Sequence, residues 1–151
     1  IRLSVFFRFF DVTSSIPLED PSKRKKSRMT QIKKRQIAVL DDDQIQHILF
    51  RKRATQLALD IQLDFFEEPE TLLEFMKSNE VETIFSDLNL ESMSGWLFIE
   101  ELFKTGFEGK LFIVTASIIP ADRTKAKKEK RIQGFYEKPL SDSDLIQILT
   151  A

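Results

Sequence analysis

The sequence predicts an α/β fold: a five-stranded parallel sheet with helices packed on both faces. Between Ile37 and Ala151, short apolar runs alternate five times with segments of helical spacing. The links between them are short, so crossovers within one parallel sheet are the economical topology. Two of the runs, Ile37-Ala38-Val39-Leu40 and Leu111-Phe112-Ile113-Val114, are apolar without interruption, as strands covered on both faces are.

The first run ends at Asp41, Asp42 and Asp43. The helix after it is expected to bury Ile45, Ile48 and Leu49, which leaves His47 on the solvent side. Ile61-Gln62-Leu63-Asp64-Phe65 alternates, as a strand at a sheet edge or with one wet face does. Pro69 suits a first helical turn, and Leu72, Leu73 and Met76 give that helix a buried stripe. Thr83-Ile84-Phe85-Ser86 is the strand that delivers Asp87. Gly95 opens a helix in which Trp96, Ile99, Leu102 and Phe103 recur at helical spacing, and Gly106 ends it. These aromatic residues are expected in the core rather than around a cofactor.

The fourth strand ends at Thr115. After Pro120, the segment from Ala121 to Arg131 has helical propensity but carries six Lys/Arg, with two alanines as its apolar residues, so its hold on the core is expected to be slight. Ile132-Gln133-Gly134-Phe135-Tyr136 is the last strand and leads to Lys138 and Pro139. Ser141 with Asp144 has the pattern of a capping box, and Leu145, Ile148 and Leu149 form the stripe of a terminal helix.

At 151 residues the chain is sized for one domain with a proper core. Without cysteine, disulfides and thiolate metal sites are excluded, and a reducing compartment is expected. A single histidine excludes a multi-histidine metal site, and no apolar run approaches the roughly 20 residues of a membrane helix. The net charge of −1 conceals a division: residues 1–36 hold 10 Lys/Arg against 3 Asp/Glu, and residues 37–151 hold 13 against 21. Residues 1–35 are therefore expected to form a basic, disordered extension, and residues 36–151 the folded domain. Arg2 and Arg8 break the apolar start too early for a signal peptide. The run from Lys23 to Arg28 has no interleaved aromatics, which favours a solvated lead-in over a nucleic-acid or anionic-membrane patch. Met29 is a candidate start by position alone.

Four of the five strands end in residues suited to phosphoryl chemistry: Asp41 and Asp42, Asp87, Thr115, and Lys138 just past the fifth. In a parallel sheet these ends share one edge, where such sheets place their ligands. Three carboxylates held together are costly, since each like pair at about 4 Å repels by about 4 kcal/mol at an effective dielectric near 20. A hard divalent cation such as Mg²⁺ removes that cost and keeps positions for phosphate oxygens. Lys138 would supply positive charge to a phosphoryl group, and Thr115 a hydroxyl donor.

From about Gln36 to the end, these marks resemble a response-regulator receiver domain. They are the acid pair Asp41-Asp42, the acceptor in Ser86-Asp87-Leu88-Asn89, Gly95, Thr115-Ala116 and Lys138-Pro139, in that order. The resemblance implies a flavodoxin-like sheet in the order 2-1-3-4-5. It implies that Asp87 takes a phosphoryl group from a phosphohistidine on a sensor histidine kinase or phosphotransfer protein, with Lys138 and Thr115 assisting. Mg²⁺ would be bound by Asp42, Asp87 and the backbone carbonyl of Asn89, with Asp41 acting through water. Thr115 would then move to the phosphoryl group and Phe135 would rotate inward as the aromatic switch, biasing the surface of the fourth helix, fifth strand and fifth helix.

The family likeness further implies a bacterial cytoplasmic, stand-alone receiver that catalyses only its own phosphorylation and dephosphorylation. Its signal would pass by protein contacts to an output protein, with no nucleic acid bound by the receiver itself, no membrane, and a monomeric or weakly dimeric state. In the family the Lys-Pro bond is commonly cis. The sequence departs from the pattern at Glu91, where Pro is frequent, and its triple Asp leaves the pair Asp42-Asp43 as an alternative, although the strand-adjacent pair fits better. Two other readings stand beside this one. A pseudo-receiver would keep the fold without phosphorylation, and an Mg²⁺-dependent phosphohydrolase lacks an evident second acid.

Overall fold

The computed structural model describes residues 33–151, so residues 1–32 of the expected extension, with Met29, lie outside the described residues. Among the described residues five strands alternate with five helices: β1 Arg35–Leu40, α1 Gln44–Gln56, β2 Ile61–Phe66, α2 Pro69–Phe75, β3 Thr83–Ser86, α3 Gly95–Lys104, β4 Lys110–Thr115, α4 Pro120–Lys128, β5 Ile132–Glu137 and α5 Asp142–Leu149. All neighbouring strands pair in parallel in the order β2-β1-β3-β4-β5, as expected.

The two-residue period of a strand divides the core into two layers. Ala38, Leu40, Ile84, Leu111 and Ile113 point to the side that packs Leu72 of α2, Phe98 and Leu102 of α3 and Ala126 of α4. Ile37, Val39, Phe85, Phe112 and Val114 point to the opposite side, against Ala54 of α1 and Leu145, Ile148 and Leu149 of α5. Helices therefore cover both faces. The edge strand β2 is only partly buried, in keeping with its alternating sequence.

Local signals hold at most helix ends. Ser141 and Asp144 form the capping box at α5. Ser94 caps α3 by accepting from the Leu97 amide, and Gly106, at φ +81°, follows its end. Of the apolar stripe expected on α3, Ile99 and Leu102 are buried, whereas Trp96 and Phe103 are half-buried at the core's margin.

α1 overturns the expected stripe. Ile45, Ile48 and Leu49 are 65%, 63% and 50% exposed, while His47 is 8% exposed with its ring 5.1 Å from that of Phe65. The helix buries His47 and Ala54, with Phe50 and Leu57 packed against the same core. That face runs the length of the helix. The face of Ile45, Ile48 and Leu49 continues into Lys52, Arg53 and Gln56 and is apolar for one turn only. Burial of the longer stripe against β1 and β2 wins, and it carries His47 inside with Nε2 lacking a hydrogen-bond partner among the described residues.

Candidate functional site

The sheet's own hydrogen bonding holds the site in register. Past β1, β3 and β5 the ladder continues one step further: the Asp41 amide donates to Phe66 O at 3.0 Å, the Asp87 amide to Leu40 O at 3.0 Å, and the Lys138 amide to Thr115 O at 2.9 Å. Residues from β1, β3 and the segment after β5 are thereby fixed to neighbouring strands rather than to mobile loop backbone.

Their side chains meet. Carboxylate oxygens of Asp41, Asp42 and Asp87 lie within 4.8 Å of one another. Lys138 Nζ bonds Asp87 Oδ2 at 2.8 Å and also bonds Asp41 Oδ2. Asp41 and Asp87 are 5% and 6% exposed. Burial pushes the Asp41 carboxyl above its usual range, against the pull of its hydrogen bond from Lys138. Burial lowers Lys138, but the hydrogen bonds to Asp41 and Asp87 outweigh it and leave the ammonium raised. The lysine is thus the cation that permits three acids to share this edge.

Asp43 stands outside the cluster. Its side chain caps α1 by accepting from the Ile45 amide at 2.9 Å, and its own amide donates to Asp41 Oδ1 at 2.9 Å. Of the two possible acid pairs, Asp41-Asp42 is the one that the fold gathers with Asp87. The Asn89 amide donates to Asp87 Oδ1 at 3.1 Å, which folds the β3–α3 loop around the acid. Gly95 fits beneath that loop because a Cβ there would lie 2.4 Å from Leu88 Cα and 2.5 Å from Asp87 O. The exposed Glu91 lies on the same loop.

An all-oxygen donor set with two buried carboxylates suits a hard cation such as Mg²⁺. The donors and the fixed positive charge of Lys138 together suit a phosphoryl group arriving beside the metal.

The response regulator receiver domain model matches residues 37–150. The chain belongs to this family. Receivers are signalling domains that work with histidine kinases or phosphotransfer proteins, which agrees with the resemblance in the motifs. No curated protein matches the chain. Among solved structures, it is similar to a two-component response regulator from Cytophaga hutchinsonii, with 19% identity, 76% of this chain and 93% of that one covered, and a TM-score of 0.67. It is also similar to the signal receiver domain of an HD domain-containing protein from Pseudomonas fluorescens Pf-5 (22% identity, 78% and 93% covered, TM-score 0.67). A third is a CheY-like receiver domain protein from Methanospirillum hungatei JF-1 (15% identity, 78% and 91% covered, TM-score 0.68). At these identities the structures speak to the fold.

Two receiver positions named from the sequence lie on adjacent strands: Ile113 of β4 pairs with Phe135 of β5, and Thr115 with Glu137. Thr115 is fully buried, and its hydroxyl accepts from the Ser117 amide at 3.2 Å. Phe135 is half-buried under the Arg123 guanidinium, 5.3 Å from the ring centroid. The Lys138-Pro139 bond is cis.

Motif reading missed the links that tie α4 to this region. Asp122 accepts from Trp96 Nε1 at 2.8 Å and from Ser117 Oγ at 2.6 Å, and so joins α3, the β4–α4 loop and α4. Nothing in the spacing marks Asp122, because its partners lie in different elements.

Proposed function

We propose that Asp87 is the phosphoacceptor of this receiver, taking its phosphoryl group from a phosphohistidine on a sensor histidine kinase or a phosphotransfer protein. The observation that carries the reading is the meeting of Lys138 Nζ with carboxylate oxygens of both Asp41 and Asp87, from three separate strand ends. A carboxylate oxygen of Asp87 forms the bond to phosphorus as the bond from phosphorus to the imidazole nitrogen breaks, leaving an acyl phosphate and a free histidine. Lys138 meets the phosphoryl oxygens with positive charge. Asp41, Asp42 and Asp87, with the backbone carbonyl of Asn89, would hold Mg²⁺, which supplies neutralising charge when bound.

The phosphoryl group adds about −1.5 to −2 charge beside Thr115, whose hydroxyl leaves the Ser117 amide to bond it. Phe135 on the neighbouring strand follows, and α4, with Ala126 as its one buried residue, shifts at low cost. The signal passes to an output protein by contact, from a monomer or weak dimer. The exposed Ile45, Ile48 and Leu49 lie in the first turns of α1, directly after the acid pair, and support docking of the donor protein there. We further propose a bacterial cytoplasmic setting, which the cysteine-free composition supports, with residues 36–151 as the receiver and 1–35 as a basic extension.

A small phosphodonor such as acetyl phosphate with Mg²⁺ is expected to add one phosphoryl group by intact mass, and Asp87→Asn to prevent it. Full labelling of the variant would move the acceptor elsewhere, and no labelling of the wild type would favour a pseudo-receiver.

A further inference from the structure

The basic charge of α4 and the turn after it is largely uncompensated. Arg123 pairs with Glu137, and Arg131 binds Glu129 through two nitrogens, holding that carboxyl down at about 2. Lys125, Lys127, Lys128 and Lys130 have no acidic partner among the described residues. This cationic strip belongs to a domain in which acids outnumber bases by 21 to 13 over residues 37–151.

Four cations, Lys104, Lys125, Lys128 and Arg131, line a groove of about 560 Å³ with Trp96, Ile99 and Phe103 of α3 and two acids, Glu100 and Glu129, of which Glu129 is bound by Arg131. Lys125 Nζ lies 4.3 Å from the Trp96 ring centroid, and the Arg131 guanidinium carbon 3.8 Å from that of Phe103. For Lys125 the Trp96 face stands where an anion would otherwise be, whereas Arg131 also holds Glu129, and long flexible stems leave Lys125 and Lys128 free to turn toward an anion.

We propose that this groove between α3 and α4 docks an acidic amphipathic segment of a partner protein. Its apolar residues would cover the half-buried Trp96 and Phe103, and its carboxylates would meet Lys125 and Lys128. The two helices, of ten and nine residues, run for about 13–15 Å, the length of nearly three helical turns. A long nucleic acid would extend past the strip onto the acidic remainder of the domain, whereas a short peptide ends within it. The site is separate from the phosphoryl edge, and its occupancy requires no phosphorylation.

The protein's single tryptophan, Trp96, lines the groove and reports directly. The probe is a synthetic 14-residue helical peptide of Leu and Glu without aromatic residues, titrated into the full chain at about 50 mM salt. A saturable change in Trp96 emission is expected, with Kd of about 10–100 μM. Lys125→Glu/Lys128→Glu should raise Kd at least about tenfold, and Lys127→Glu/Lys130→Glu, equal in charge but outside the groove, by markedly less. Asp87→Asn should bind as the wild type does, which separates this proposal from the phosphoacceptor assignment. All four lysines are exposed, so the variants should fold, as circular dichroism would verify. No saturable change, equal weakening by both double variants, or tighter binding of a 14-nucleotide oligothymidylate than of the peptide would each overturn the proposal.

Discussion

Replacing Lys138 with Met keeps an unbranched stem of similar length and deletes the charge. Lys138 Nζ lies 2.8 Å from Asp87 Oδ2 and also bonds Asp41 Oδ2, with 12% of the side chain exposed. At 2.8 Å and an effective dielectric near 20, such an attraction is about 6 kcal/mol, whereas carboxylate oxygens no more than 4.8 Å apart repel by at least about 3.5 kcal/mol. Two attractions and three repulsions therefore nearly cancel while the lysine is present. Without it the acids have only water to relieve them, and the loss on breaking a buried ion pair is about 3–5 kcal/mol.

Urea unfolding followed by circular dichroism at pH 7, without divalent cations, measures that loss. The sign of its pH dependence follows from Asp41, whose carboxyl is already held above its usual range by burial. An acid raised in the folded state costs stability above its folded pKa, and that cost vanishes as pH falls through it. Deleting Lys138 raises the acid further, so the gap between wild type and variant should narrow from pH 7 to about pH 4.5. Millimolar Mg²⁺ should narrow it as well. A gap below about 1 kcal/mol at pH 7, or one of equal size at about pH 4.5, would refute the electrostatic account of this edge.

Other consequences follow from packing. Gly95→Ala places a methyl group against the backbone of Asp87 and Leu88, and thermal unfolding should show a loss of about 2–3 kcal/mol; a change within error would mean that the loop yields freely. Ile48→Lys, at a position 63% exposed, should change stability by less than about 0.5 kcal/mol, and a core-sized loss would restore the stripe first read from the sequence. His47→Leu replaces a buried imidazole whose Nε2 has no hydrogen-bond partner among the described residues and should raise stability by about 1 kcal/mol at neutral pH; a lower melting temperature would point to a polar role for the ring.

The sequence by itself determined the order of strands and helices and the residues at the strand ends. Uninterrupted apolar runs force a sheet covered on both faces, and a parallel sheet brings Asp41, Asp42, Asp87, Thr115 and Lys138 to one edge however far apart they lie in the chain. Caps at Ser141 and Gly106 were legible because they depend on a few adjacent residues. The burial of α1 was not, because one turn with three strong apolar residues outweighed a weaker stripe that spans the whole helix. Only the packed sheet decided which of three consecutive aspartates turn inward, with Asp43 spent on a helix cap. It alone brought Trp96, Asp122 and Ser117 together, and it set the lysines of α4 over the aromatic side chains of α3. Periodicity records how strongly a residue prefers to leave water. Which neighbour it meets depends on the angle and register at which separate elements dock, and that is fixed only when the whole chain packs.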